Sequence, residues 1–308
     1  MKDYKYIYGP IPSRRLGRSL GIAPIPAKTC NYSCIYCQLG RTEKMTCCRQ
    51  AFFPVEDIVS ELKDAITGNL EYDMISIVGD GEPTLYSDLG RLIKSIKRFA
   101  DKPIALITNG SLLYNPGVRE DIMTADIVMP SLDAYDEITF RKINRPHGRL
   151  DFNQIITGII AFSKEYTGGL WLEVMLVGGV NDDDTSLYKL REIIKKIKYQ
   201  RLYINTPIRP PAKRWVKASS SERLEKAALI LGGVSIDRFS TTLFQSGIAD
   251  DYRAIISLIG RHAMRKEEIA LFLQSRGNKE IDNILERLNN DENVEVIQYQ
   301  DSIIYRCN

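Results

Sequence analysis

The chain has 308 residues, of which 26% are charged and 44% are hydrophobic, and its formal net charge is +3. This composition is ordinary for a soluble globular protein. No apolar run approaches the roughly 20 residues of a membrane span, and the N-terminus has no apolar signal region, so we expect a cytoplasmic protein without a membrane partner. Six cysteines in a chain of this length do not indicate a disulfide framework, and clustered cysteines in a reducing compartment favour metal binding.

The positive charge is concentrated near the N-terminus. Residues 1–50 hold nine Lys and Arg side chains against two acidic ones, whereas residues 250–308 hold eight against eleven. Two explanations remain open for the basic segment. Its charges are either solvated on the surface, or they form a positive field that attracts an anionic substrate or partner.

Apolar runs that alternate with amphipathic stretches predict the main domain. The runs that predict strands are residues 20–25, 74–78, 104–108, 127–130, 170–177 and 202–204. Between them, residues 55–66 and 187–197 repeat apolar side chains with the 3.6-residue period of a helix. This alternation predicts a parallel sheet with right-handed crossovers. We therefore expect an α/β barrel or part of one, with its site at the carboxyl ends of the strands.

The pattern changes after residue 249. Three short helices and a hairpin are predicted at residues 251–261, 266–275, 279–288, 294–298 and 302–306. We expect a main domain at 1–248 and a C-terminal winged-helix-like module at 249–308, packed against it. The third helix holds three acidic and two basic residues. Because phosphate contacts supply most non-specific affinity, this charge does not favour autonomous DNA binding and favours a packing or partner-docking module.

Three cysteines, Cys30, Cys34 and Cys37, lie within eight residues. Three thiolates on one short loop can hold three corners of an iron–sulfur cube and leave the fourth iron open to a substrate or cofactor. A fully ligated electron-transfer cluster would need a fourth cysteine, and a zinc site would need a fourth Cys or His close by. The two histidines of the chain, His147 and His262, are distant in sequence.

Further motifs follow the predicted strands in order. They are Gly79-Asp80-Gly81-Glu82-Pro83-Thr84, Thr108-Asn109-Gly110, Ser131-Leu132-Asp133-Ala134 and Val177-Gly178-Gly179-Val180-Asn181-Asp182. Together with the cysteine spacing, in which Tyr36 is the aromatic residue before the last cysteine, this set resembles the radical SAM superfamily over about residues 10–245. Asp80 departs from the pattern, because two consecutive glycines are usual there.

This resemblance implies a partial (β/α)6 barrel with one 4Fe–4S cluster held by Cys30, Cys34 and Cys37. S-adenosylmethionine would chelate the open iron through its amino and carboxylate groups. An electron from a flavodoxin or ferredoxin would then break the sulfonium C–S bond. The resulting 5′-deoxyadenosyl radical would take a hydrogen atom from the substrate, while the protein supplies orientation and a dry pocket.

The resemblance also implies cofactor-binding residues, namely Tyr36, Gly81, Glu82, Asn109, Ser131, Asp133, Val177 and Asn181. Gly81 allows a close backbone approach, and Glu82 or its adjacent backbone can accept a hydrogen bond from an amino group. Ser131 and Asp133 offer a hydroxyl and a carboxylate to a ribose, and Tyr36 offers an apolar face to adenine. Structural roles remain open for these residues: a surface turn, helix capping, a tight turn or core packing.

Arg14, Arg15 and Arg209 are candidates for contact with the substrate at the barrel mouth. Each can bind a carboxylate or phosphate in a bidentate manner, although pairing with acidic side chains is an equal alternative. With residues 141–147 they suggest a positively charged entrance. The segments around these arginines resemble a group of iron–sulfur oxidoreductases related to tRNA wyosine synthases, and this grouping does not transfer a substrate.

Two classes of function follow from the sequence. The first is a radical enzyme that acts on an anionic substrate: a tRNA base, a phosphorylated small molecule or a protein side chain. The second is an iron–sulfur sensor that regulates transcription through the winged helix. The full motif set favours the enzyme, and the acidic module counts against the sensor. For Cys47, Cys48 and Cys307, ordinary thiols are favoured over a second cluster or a fourth cluster ligand from Cys47 or Cys48, since adjacent cysteines rarely serve one cluster well.

Overall fold

The computed structural model describes residues 4–68, 70–236 and 243–307. Its strands are β1 (Ile7–Ser13), β2 (Gly17–Ile22), β3 (Thr29–Cys30), β4 (Lys44–Met45), β5 (Met74–Ile77), β6 (Ile104–Thr108), β7 (Ile127–Pro130), β8 (Gly169–Met175), β9 (Arg201–Asn205), β10 (Val234–Ser235), β11 (Met264–Arg265), β12 (Val294–Tyr299) and β13 (Ser302–Cys307). Its helices are α1 (Val55–Ile66), α2 (Leu89–Ile96), α3 (Pro116–Ile122), α4 (Glu137–Ile143), α5 (Phe152–Glu165), α6 (Asp184–Ile194), α7 (Ser221–Leu231), α8 (Asp251–Ile259), α9 (Lys266–Ser275) and α10 (Ile281–Asn289).

The main sheet is the wall of a partial barrel. Among the described residues its strand order is β1-β2-β5-β6-β7-β8-β9-β10. In this sheet β2, β5, β6, β7, β8 and β9 run parallel to one another and correspond to the six predicted runs. The α/β fold class, a partial (β/α)6 barrel, is therefore confirmed. The sheet edges were missed: β1 pairs antiparallel with β2, and β10 adds two residues beside β9.

Burial explains why the central strands could be predicted and the edges could not. All four residues of β5 and of β7 are buried, as expected for parallel strands covered on both faces. Such strands appear in a sequence as continuous apolar runs. β10 has no such run, and its Val234 is 61% exposed. Helix α1 has the predicted bounds and buries the apolar face of Val55, Ile58 and Leu62.

Helix α6 begins earlier than its apolar period predicts. Its first residue is Asp184, and the preceding Asp183 accepts a hydrogen bond from the backbone N–H of Ser186. An Asp at this position satisfies one of the free N–H groups of a helix N-terminus. The cap therefore sets the start of the helix, and the first apolar contact comes only at Leu187.

The C-terminal segment contains the three predicted helices and the predicted hairpin. Its elements follow the order α8, β11, α9, α10, β12, β13, and its three strands form a sheet in the order β11-β13-β12. It has its own cluster of buried side chains, which starts at Phe244 and includes Phe272 and Tyr305. We refer to residues 243–307 as the C-terminal module, and the boundary at residue 249 stays a prediction. Within the described ranges, no helix is both long and apolar enough to cross a membrane.

The C-terminal module contacts the segment that follows β9. The Tyr299 hydroxyl donates to the Pro207 carbonyl at 2.9 Å, and the Arg306 guanidinium donates to the Pro210 carbonyl at 3.4 Å. Since β9 ends at the carboxyl edge of the sheet, these contacts bring the module to the mouth of the barrel.

Candidate active site

The three cysteines of the N-terminal motif lie on a loop that backbone hydrogen bonds fix from outside. Ile35 N–H donates to the Ile143 carbonyl at 2.9 Å, and Ser33 N–H donates to the Asn144 carbonyl at 3.0 Å. Within the loop, Cys37 N–H donates to the Cys34 carbonyl at 3.2 Å. The end of α4 therefore supports the loop, and Cys30, Cys34 and Cys37 line one cavity.

Side-chain amides approach two of the three thiols. Asn109 Nδ2 lies 3.8 Å from Cys30 Sγ, and Asn144 Nδ2 lies 3.6 Å from Cys34 Sγ. Burial raises the pKa of the Cys30 thiol to about 12 and raises that of Cys34 well above its ordinary value. Without a metal these thiols are protonated, so iron binding must release protons. The amide N–H donors then orient and stabilise the thiolates.

The three thiols of the cysteine loop line one cavity. An iron–sulfur cube takes one thiolate at each of three separate irons, so its ligands surround the cluster and need not converge. The three thiols therefore fit the predicted cluster.

The cavity beside the cysteines has a volume of about 410 Å³. This lies within the range of about 300–1,000 Å³ typical of small-molecule sites. Its walls come from the cysteine loop, from the carboxyl ends of the parallel strands and from the C-terminal module. The polar residues that line it outside the cysteine loop include Ser131, Asn109, Glu82, Asp80, Glu173, Asn205, Arg14, Arg15, Arg209, Arg261, His262 and Glu268.

Glu82 lies in this cavity wall, but its carboxylate is already engaged. One oxygen accepts from Thr84 N–H at 3.0 Å and from the Thr108 hydroxyl at 2.6 Å, and the other accepts from Asn109 N–H at 2.7 Å. Burial raises the pKa of Glu82, and these hydrogen bonds oppose that rise. The Glu82 side chain therefore holds two loops together.

The two glycines of the turn after β5 have different structural roles. Gly79 has φ +63°, a conformation that favours glycine. A Cβ atom on Gly81 would lie 1.8 Å from the Thr29 carbonyl oxygen, and the two residues form a β-bridge. The close backbone approach that Gly81 permits is therefore to the cysteine loop, which places this turn beside the predicted cluster.

Five of the predicted cofactor residues line the cavity: Tyr36, Gly81, Glu82, Asn109 and Ser131. Asn109 donates from its amide to the Asn31 side chain at 2.7 Å, which ties the loop after β6 to the cysteine loop. Ser131 follows β7 and is held by its N–H, which donates to the Thr108 carbonyl at 3.1 Å. Tyr36 lines the cavity and donates from its hydroxyl to Asp133.

The ribose contact of Asp133 stays a prediction, and in the structure its carboxylate has protein partners. Asp133 is 3% exposed and is not part of the cavity wall. Its carboxylate accepts from the Tyr36 hydroxyl, from Asn144 Nδ2 at 2.8 Å and from Met175 N–H at 2.9 Å. These donors occupy the carboxylate, so Asp133 positions Tyr36 from behind.

Val177 and Asn181 also lie behind the cavity wall and not in it. Both are fully buried, and the Asn181 side chain accepts from Val177 N–H at 2.7 Å. The same amide donates to the carbonyls of Asp133 at 2.8 Å and Met175 at 2.9 Å. In the structure these two residues fix the loop after β8, and their contact with the cofactor stays a prediction.

The three predicted substrate arginines line the cavity but have protein partners. Arg15 pairs with Glu173, and Arg209 makes a bidentate pair with Glu268 at 2.6 and 2.8 Å. Arg14 donates to the Asn205 side chain at 3.0 Å and to a backbone carbonyl. For Arg15 and Arg209 the alternative of pairing with acidic side chains is the one observed. An anionic substrate would have to share or exchange these partners.

Several polar residues of the site were not predicted from the sequence. Glu173 lies inside the apolar run of β8. A charged residue within such a run indicates a functional position and could have been recognised from the sequence. Asn205 ends β9 and donates to Glu173 at 2.9 Å. Arg261 and His262 reach the cavity from the C-terminal module, and nothing local in their sequence indicates this.

These features define an iron–sulfur enzyme built on a partial parallel barrel, and the chain belongs to the radical SAM superfamily. A comparison with protein families matches residues 25–191 to the family described as "Radical SAM superfamily". A UPF0026 protein of Methanocaldococcus jannaschii is 36% identical over 98% of this chain and 95% of its own length. A UPF0026 protein of Helicobacter pylori strain J99 is 36% identical over 91% of each chain.

A further relative is much longer than this chain. A Brachyspira hyodysenteriae protein named "GTPase Obg" is 44% identical over 72% of this chain, but the match spans 33% of that protein. The present sequence contains no G-x-x-x-x-G-K-[ST] phosphate-binding motif. This chain spans about a third of that relative, and the activity in the relative's name is therefore not carried over to this chain.

Solved structures share the fold at low sequence identity. "TYW1 with a lysine-pyruvate adduct bound" has a TM-score of 0.54 at 21% identity and covers 70% of this chain and 74% of that chain. A radical SAM methyltransferase from Sphaerobacter thermophilus has a TM-score of 0.52 at 18% identity and covers 73% of this chain and 67% of that chain. The fold and the predicted cofactors, a 4Fe–4S cluster and S-adenosylmethionine, are confirmed by the family.

Proposed function

We propose that the protein is a radical enzyme that takes a hydrogen atom from an anionic substrate held in the cavity. The observation that carries this proposal is that Cys30, Cys34 and Cys37 open into the same cavity as Asn109 and Ser131. When bound and reduced, the cluster and S-adenosylmethionine supply a 5′-deoxyadenosyl radical. The protein then has to position both ligands and keep water away.

Residues on several different loops bind different groups of S-adenosylmethionine. The Glu82 side chain is engaged by Thr108 and Asn109, so we assign the contact with the amino group to the backbone of the turn at residues 79–82. The Ser131 hydroxyl is available to the ribose, and the Tyr36 ring to the adenine. Because Asp133 accepts a hydrogen bond from Tyr36, the ring is held in one orientation before the cofactor arrives.

The cavity is suited to protecting a reactive intermediate. Apolar side chains of Ile11, Leu16 and Ile107 line it together with the polar groups. The C-terminal module contributes to its wall through Arg261 and His262. A site that is covered from several sides expels water and so limits side reactions of a radical.

The substrate class that the surface supports best is RNA, with a tRNA base as the reacting group. The segment after β9 passes the cysteine loop, where Lys213 N–H donates to the Ile35 carbonyl at 3.0 Å. It then exposes Arg214, Trp215 and Lys217, and Trp215 is 51% exposed. Cations beside an exposed aromatic ring suit phosphate contacts and base stacking.

Cofactor cleavage is tested without knowledge of the substrate. Protein reconstituted anaerobically with iron and sulfide is reduced with dithionite and incubated with S-adenosylmethionine. The proposal predicts formation of 5′-deoxyadenosine, its loss in Cys34→Ala and its retention in Cys48→Ala, since Cys48 is exposed. A non-catalytic iron–sulfur sensor would yield no 5′-deoxyadenosine in any variant.

The substrate and the electron donor are tested separately. RNA that copurifies with the freshly isolated protein raises its ultraviolet absorbance ratio, and an Arg214→Glu/Lys217→Glu variant should lose that RNA. Protein without RNA would favour a phosphorylated small molecule or a protein as the substrate. We propose flavodoxin or ferredoxin as the electron donor, and replacement of dithionite by each reduced donor tests this.

A further inference from the structure

Asp80, the residue that departs from the family pattern, faces a residue of the C-terminal module. Its carboxylate lies 3.6 Å from the Arg261 guanidinium, and the two side chains are 13% and 17% exposed. Arg261 also donates to the Lys5 carbonyl at 2.7 Å and stacks over the Tyr8 ring at 4.9 Å. Arg261 therefore joins the module to β1 and to the turn after β5 at one point.

The next residue of the module reaches the cysteine loop. His262 Nδ1 lies 3.4 Å from the Gln38 amide nitrogen, and Gln38 directly follows Cys37. The His262 ring also packs against Phe244, with 5.5 Å between the ring centroids. His262 lines the cavity that the cysteines line.

A third contact completes the pattern. Glu268 at the start of α9 holds Arg209 from the segment after β9 in the bidentate pair. The module thus makes polar contacts with three separate loops: the cysteine loop, the turn after β5 and the segment after β9. Each of these contacts borders the cavity, because Gln38, Asp80 and Arg209 all line it.

We propose that the C-terminal module forms the substrate-facing wall of the reaction cavity, and that Asp80 and Arg261 are the positioning residues that hold it there. The residues that face the substrate from this wall are Arg261, His262 and Glu268. That the wall faces a substrate rests on the function proposed above, whereas the position of the wall does not. The Asp80 carboxylate then has a defined role, because it supplies the negative charge that pairs with Arg261 of the module.

The accessibility of Cys37 reports on this wall directly. The full chain is kept reduced and metal-free and is treated with a bulky maleimide, and site-resolved mass spectrometry gives the rate for each cysteine. Cys37 is next to the His262 contact, while the exposed Cys48 serves as an internal standard. We expect Asp80→Asn, which preserves the shape of the side chain, and Arg261→Ala each to raise the ratio of the Cys37 rate to the Cys48 rate about tenfold, since each breaks a partly buried ion pair.

Two further variants separate positioning from general destabilisation. Asp80→Arg combined with Arg261→Asp restores an ion pair of reversed polarity and should return the ratio towards that of the wild type. Lys97→Ala removes another ion pair of the main domain, with Asp126 at 2.5 Å, and should leave the ratio unchanged. An unchanged ratio in both Asp80→Asn and Arg261→Ala would overturn the proposal, and so would an equal rise in Lys97→Ala.

A spectroscopic signature complements the thiol rates. The chain has two histidines, so labelling with ¹⁵N-histidine gives two sets of ring signals. In Asp80→Asn the His262 signals should shift and the His147 signals should not. Unshifted His262 signals would contradict the proposal. Neither measurement needs the cluster, so absence of cofactor cleavage in the wild type would refute the proposed function and leave this inference standing.

Discussion

Glu82 accepts a hydrogen bond of 2.6 Å from the Thr108 hydroxyl, and this contact ties the ends of two neighbouring strands together. The same carboxylate accepts from Asn109 N–H at 2.7 Å. Two of the motifs that the sequence places after separate strands are thus one structural unit. The unit carries Asn109, whose amide reaches Cys30 Sγ at 3.8 Å.

Replacing Glu82 with Gln should damage this unit. An amide has one acceptor oxygen, so its NH2 group must face either Asn109 N–H or the donors of Thr84 and Thr108. An unsatisfied buried donor costs about 1–3 kcal/mol, and we expect a loss of that size in the free energy of unfolding. Urea titration measures it. Glu43→Gln, at a side chain that is 65% exposed, is the matched control and should stay within about 0.5 kcal/mol of the wild type.

Arg209→Ala should separate substrate use from cofactor cleavage. The change leaves the Glu268 carboxylate without its bidentate partner, and we expect a loss of about 3 kcal/mol in stability. Arg209→Ala/Glu268→Ala should recover part of that loss. Formation of 5′-deoxyadenosine should persist in the double variant while turnover of the substrate falls. Equal losses of the two activities in that variant would contradict a place for Arg209 on the substrate side.

His262 should make the stability of the protein depend on pH below neutrality. Burial, together with the charges of Arg209 and Arg14, lowers the pKa of His262 well below its ordinary value of 6.5. The unfolded chain therefore binds a proton at a higher pH than the folded chain does, so stability is lost as the pH falls below about 6.5. At about pH 5.5 this loss is on the order of 1 kcal/mol.

The His262→Gln variant isolates this contribution from that of the other titrating groups. Denaturant titration at about pH 7.5 and about pH 5.5 gives the difference in free energy of unfolding between the wild type and the variant. This difference should change between the two pH values by the amount given above. Gln38 and Phe244 are the neutral neighbours of the ring, so neither compensates for the change. A difference that does not change with pH would show that the imidazole charges freely in the folded protein.

The barrel could be predicted from the sequence because the patterns that indicate its strands and helices lie within short segments of the chain. Strands that are buried on both faces, such as β5 and β7, appear as unbroken apolar runs, and α1 shows its period within twelve residues. The cysteines and the loop motifs were found by spacing and order alone. The edge strands β1 and β10 lack such runs, since residues of both lie partly exposed.

The direction in which each site side chain points could not be predicted from the sequence. Ser131 and Asp133 are two residues apart, yet the first lines the cavity and the second is occupied by Tyr36, Asn144 and Met175. Both orientations are compatible with the same motif. The contact between Asp80 and Arg261 joins residues far apart in the chain, so no local pattern predicts it.

The central claim is that Cys30, Cys34 and Cys37 hold a 4Fe–4S cluster with one iron open to S-adenosylmethionine. The most direct measurement is electron paramagnetic resonance of the reduced, anaerobically reconstituted protein before and after addition of S-adenosylmethionine, with metal analysis of the same sample. We expect four irons per chain and a change in the cluster signal when S-adenosylmethionine is added. Bound zinc in place of iron, or a cluster signal that S-adenosylmethionine leaves unchanged, would contradict the account.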